Sequence, residues 1–121
     1  MGDRANFGFR DSKENVVFLY GHWAGHNMLA KLANAVQAAE SRWQDDSYAT
    51  RICISNLIGE DWTQTTGWGI YINQLGDNEH KVPVIDWKNQ TFTLYEEDLS
   101  TVVFSTSLTS FVDKYSRLVM V

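Results

Sequence analysis

The sequence predicts a single α+β domain over residues 1–121. Its sheet is expected to be mostly antiparallel with four to five strands, and about three helices pack on one face. Three observations predict this. Short apolar runs bounded by polar turns open the chain and recur after residue 67. Between them, apolar residues recur at helical spacing. No linker, internal repeat or low-complexity tract divides the chain.

"ANFGF" (5–9) puts Ala5, Phe7 and Phe9 on one face of a strand, "RDSKEN" (10–15) is a polar turn, and "VVFLY" (16–20) is a continuous apolar strand of the kind buried on both faces. Together they predict an N-terminal hairpin. Asn27 is a candidate N-cap for a helix from about 28 to 43, with Leu29, Leu32, Val36 and Trp43 near helical spacing and Ala33 and Ala39 filling the stripe. "QDD" (44–46) breaks it, and Asp45 or Asp46 caps a second helix whose apolar face is Tyr48, Ile52 and Cys53 and whose stop is Gly59.

The polar loop "EDWTQTTG" (60–67) carries an exposed Trp62. "WGIYI" (68–72), "VPVIDW" (82–87) and "TFTLY" (91–95) read as three strands joined by 73–80 and by the turn 88–90. Pro83 places the middle run at an edge, or its missing N–H at a non-paired position. "TVVFS" (101–105) is a short strand or an extended lead-in. Leu108, Phe111, Val112 and Tyr115 then mark a C-terminal helix capped by Ser105 or Ser107.

The chain has 121 residues, 44% of them apolar, with five Trp, five Tyr and six Phe, which excludes disorder and allows a core without disulfides or metal. The one cysteine, Cys53, cannot form an internal disulfide and fits a reducing compartment. Ten Lys and Arg are scattered among fifteen Asp and Glu, for a net charge of −5, so no basic stripe suits nucleic acid. No apolar run approaches the roughly 20 residues that span a bilayer, no secretory leader opens the chain, and Asn6 stands where the myristoylation pattern wants Ser or Thr. The expected location is the cytoplasm.

Four polar clusters fall at strand ends or in loops, where functional residues concentrate: Arg4 with Asn6; His22 and Trp23 with His26; Trp62 with Thr65 and Thr66; and 77–80. His22, His26 and His80 with Glu79 or Asp77 form a possible metal set, but Gly21 and Gly25 interrupt the segment, and no metal site is assigned. His22 with Glu79 or Asp86 is an acid–base pair on paper and supplies the alternative reading, a small hydrolase. Cys53 lies on an apolar helix face and reads as an inert core thiol. No nucleophile elbow, phosphate loop or dinucleotide fingerprint is present, so no catalytic residue and no cofactor are assigned. The binding reading uses the aromatic faces of Tyr20, Trp23, Trp62 and Trp68, with Arg4 and His22, to stack on and hydrogen-bond a planar anion such as a nucleotide.

"MGDRAN" (1–6) and "LYGHWAG" (19–25), with "TGWGI" (66–70) and "DNEHKVPVID" (77–86), resemble a group of small proteins of unassigned function common in tailed phages. The resemblance spans residues 1 to about 95. The group's usual Asp between Trp and Gly is Ala24 here, and His26 lies outside the pattern. The resemblance implies no reaction. It implies a phage-like origin, hence the host cytoplasm, and one shared neighbourhood of Arg4, Asn6, Tyr20, His22, Trp23, Gly25, Asn78 and Glu79. By analogy with small phage accessory proteins, a role against host defence is expected.

The expectation is a non-enzymatic binding protein and a homo-oligomer. Its ligand-binding residues are Arg4, Asn6, Tyr20, His22, Trp23, Trp62, Asn78 and Glu79, and its partner is a small anionic, nucleotide-like ligand or a host defence protein. The remaining alternative is a purely structural or interaction module.

Overall fold

In the computed structural model, residues 2–116 are described. The elements are β1 (Ala5–Arg10), β2 (Val16–Gly21), α1 (Met28–Ala38), α2 (Asp46–Ile58), β3 (Trp68–Ile72), β4 (Val82–Asp86), β5 (Thr91–Tyr95), β6 (Val102–Ser107) and α3 (Leu108–Tyr115), with 3-10 turns at Glu40–Arg42 and Gly59–Thr63. The fold is α+β as expected, but the sheet has six strands, in the order β3-β2-β1-β4-β5-β6, rather than four to five. The extra strand is β6, which pairs antiparallel with β5 along 91–95. The sheet is also mixed: β1 runs antiparallel to β2 and parallel to β4.

Alternation along β1 sends Ala5, Phe7 and Phe9 into the main core, where α1 contributes Met28, Leu32, Ala33, Ala35 and Val36, α2 Ala49 and Cys53, and α3 Leu108 and Phe111. Phe92 of β5 stacks on Phe111 with ring centroids 3.9 Å apart, which fixes α3 on the sheet. The other face holds a smaller cluster of Phe18, Val82 and Val84, closed by Leu75 and Leu99 from loops and by Val16, Tyr71 and Tyr95. Pro83 is buried in an interior strand, and the parallel ladder with β1 begins one residue later, at Gly8↔Val84.

Three local expectations change. The first helix stops at Ala38, not at 43: the Ala39 N–H turns back to the Ala35 and Val36 carbonyls, and the Trp43 indole donates to Val36 O at 2.9 Å, satisfying the helix end from outside it. Asn27 stands at the N-cap position with φ 54° and makes no side-chain cap bond. Tyr48 leaves the apolar face of α2 and is 53% exposed, because Ala49 and Cys53 define the buried stripe and the preceding residue points elsewhere. The Arg42 guanidinium lies 5.1 Å from its ring centroid.

Candidate functional site

The N-terminal segment, the end of β2 and the 73–81 loop meet on the sheet face opposite the helices. Asn6 points to that face from β1 and is fully buried. Its Oδ1 accepts from Gly76 N at 2.9 Å, and its Nδ2 donates to Asp77 O at 3.0 Å and Asn78 Oδ1 at 3.2 Å. Asn78 in turn donates to Glu97 O at 2.9 Å. Glu79 accepts from Arg4 N at 2.8 Å and from Arg4 Nε at 3.3 Å, and its own N–H donates to Arg4 O at 2.9 Å. The backbone N–H of Arg4, then its guanidinium, hold the Glu79 carboxyl below the usual carboxylate range. Asp77 adds a second carboxylate 3.7 Å from Arg4 Nη1.

Loop 76–79 is therefore strapped across the sheet by Asn6 and Arg4. Gly76 makes the strap possible: a Cβ there would sit 2.6 Å from the Tyr71 ring and 2.9 Å from the Tyr20 ring.

Tyr20 is half-buried, and burial, with the Asp77 carboxylate, holds its hydroxyl above the ordinary value. The hydroxyl lies 2.8 Å from His22 Nδ1. With Tyr20 as donor, the proton of a neutral His22 ring lies on Nε2. His22 also donates its backbone N–H to Gly67 O at 2.8 Å and meets Trp23 edge-on, with ring centroids 4.6 Å apart. His22 thus joins the end of β2 to the start of β3 and supports the ring of Trp23.

Trp23, named from sequence among the ligand-binding residues, is 61% exposed. It lines a cleft of about 430 Å3 with Trp68, Lys31, Leu57 and Asp61, between the C-terminal end of α2 and the start of β3. The Lys31 ammonium has no ion pair or hydrogen bond among the described residues.

Arg4, Asn6, Asn78 and Glu79 thus touch one another, and Tyr20, His22 and Trp23 form a second contiguous group. Trp62 is 75% exposed in the 3-10 turn after α2, and no hydrogen bond or ring contact among the described residues joins it to either group. His22 and Glu79 have different partners, and no hydrogen bond or ion pair between them occurs among the described residues.

Sequence reasoning passed over Lys31, an exposed residue of α1, which no local pattern marks. It also passed over the pair of Asp3 and His80, 2.6 Å apart beneath Gly25. Among the described residues no group of three His, Cys, Asp or Glu is placed to hold a metal ion. No helix among them is long and apolar enough to cross a membrane. Comparison with protein-family models, curated proteins and solved structures finds no match.

Proposed function

We propose that the protein is a binding module without chemistry of its own, and that it takes a small, planar, anionic ligand of nucleotide type in the cleft between Trp23 and Trp68. The observation that carries this reading is the pairing of two tryptophan walls, one of them 61% exposed, with the ammonium of Lys31, which has no ion pair or hydrogen bond among the described residues. Exposed aromatic surface next to a cation suits a ring bearing negative charge, and Asp61 at the same cleft leaves a carboxylate able to accept from a ligand's N–H or hydroxyl. The cleft volume falls within the roughly 300–1,000 Å3 of small-molecule sites.

Arg4 is the weaker anchor for an anion, since Glu79 and Asp77 already share its charge. In this reading Trp23 contacts the ligand, His22 and Tyr20 position it, and Arg4, Asn6, Asn78 and Glu79 hold the strap behind them. The hydrolase reading loses ground because a carboxylate held low by Arg4 is a weak base. The motif resemblance to phage-type proteins directs the choice of probes towards signalling nucleotides of host defence.

The test is thermal unfolding with a panel of mono-, di- and cyclic nucleotides. A binder present at 100 times its dissociation constant adds about 2.7 kcal/mol of stability. Trp23→Ala and Lys31→Ala should each weaken that binder at least tenfold, about 1.4 kcal/mol. Flat melts across the panel, or binding indifferent to both substitutions, would sink this reading.

A further inference from the structure

The sheet ends on one side at β3, and among the described residues no strand pairs with its outer edge. In the β2–β3 ladder His22 N donates to Gly67 O and Asn73 N donates to Val16 O, so the odd-numbered residues of β3 direct their N–H and C=O groups towards β2. By alternation, the backbone groups of Trp68, Ile70 and Ile72 point away from the sheet. The side chains of Ile70 and Ile72 are 57% and 59% exposed, both on the helix-side face with Trp68.

Sheet edges are ordinarily protected by charge, proline, a bulge or a covering segment. Residues 62–76, "WTQTTGWGIYINQLG", contain no charged residue and no proline, and the β2–β3 register runs without a break. The opposite edge differs. The register of β5 with β6 shifts at Leu94/Tyr95, and the acidic run Glu96, Glu97 and Asp98 adjoins it.

We propose that β3 is a homodimerisation edge, on which a second copy of this chain adds its own β3 antiparallel about a two-fold axis at Ile70. Three arguments single out a second copy. First, the outward-facing residues match themselves: the two-fold sets Ile70 opposite Ile70 of the partner copy and Trp68 opposite its Ile72, and every such pair joins residues whose backbone groups face out. Each pair can exchange both of its hydrogen bonds.

Secondly, the exposed isoleucines of both copies then lie on one face, cross-strand from one another, where apolar pairs stabilise a sheet. Thirdly, a chain of net charge −5 repels itself over most of its surface, and this uncharged stretch is where two copies approach without like charges meeting. The contact is isologous and closes on itself, whereas pairing β3 with β6 of another copy would propagate into a filament. The edge shares Trp68 with the cleft, but the inference does not rest on the nucleotide reading.

The experiment is sedimentation of the full chain over a wide concentration range, with three variants. The wild type should reach twice the monomer mass and dissociate on dilution. Ile70→Arg places two guanidinium groups opposite each other at the axis and should weaken the dimer at least tenfold, with the fold kept as judged by circular dichroism. Val103→Arg, on the opposite edge, should leave the dimer intact. As a register check, Ile70→Cys should cross-link to itself under diamide, which oxidises the two thiols to one disulfide and is itself reduced to the hydrazine, while buried Cys53 stays unreacted. A chain that remains monomeric at every concentration overturns the proposal. So does a dimer insensitive to Ile70→Arg, or a polymer that Val103→Arg dissolves.

Discussion

Cys53 shows how completely a neighbourhood can set the chemistry of one atom. Burial on the inner stripe of α2 pushes its thiol up to about 12, so thiolate is scarce at neutral pH. A thiol reagent should therefore react slowly with the native protein and rapidly in denaturant, and fast native labelling would show that α2 does not pack as described.

Gly25 matters through space rather than backbone conformation, since it is not among the positive-φ glycines. A Cβ there would overlap His80 Nε2 and Asp3 Oδ1. That hydrogen-bonded pair is partly exposed and contributes little by itself. Overpacking it is what should make Gly25→Ala lose about 1–3 kcal/mol in a denaturant titration. Gly25 was legible in the sequence as one position of a motif, but its reason was not, because Asp3 and His80 come to it from opposite ends of the chain.

The 76–79 strap draws its order from a few hydrogen bonds. With Asn6 replaced by Leu, of similar size, the Gly76 N–H and Asp77 carbonyl lose their buried partner, at a cost of about 1–3 kcal/mol. Amide hydrogen exchange at 76–79 should then speed up well before the central strands are affected. Unchanged exchange would mean that other contacts hold the strap. At α3, the Ser107 hydroxyl accepts from Ser110 N, and Ser107→Ala should lower stability by about 0.5–2 kcal/mol in the same titration. That cap was one of two serines expected from sequence. The strap was not expected, because Asn, Asp and Glu in a row look alike whether they await a ligand or hold a loop.

For the molecule as a whole, acid is the revealing perturbation. Glu79, through the backbone N–H of Arg4, and Asp46, through the backbone N–H of Ser12, titrate below their ordinary values of 4.5 and 3.8. As the pH falls, the unfolded chain binds these protons first. The stability from each group is thus complete above its ordinary value and disappears as the pH drops through the lowered folded one. The melting temperature should hold steady down to those ordinary values and then fall. Glu79→Gln should flatten that fall, whereas an identical acid profile would show that the Arg4 clasp does not couple to unfolding.

Element type was readable from the chain because periodicity is a local property. The alternation of Ala5, Phe7 and Phe9 and the spacing of Leu108, Phe111 and Tyr115 each encode a buried face without reference to any other segment. Adjacency is not local. The parallel pairing of β1 with β4, the promotion of 102–107 to a sixth strand and the place of β3 at the end of the sheet depend on which segments become neighbours. The same holds for the candidate residues. Composition and spacing placed His22 at a strand end and Asn78 in a loop, but only packing shows that Asn6 is sealed beneath the strap while Trp23 stands open to solvent. Burial belongs to the assembled surfaces, and one residue's own chemistry does not contain it.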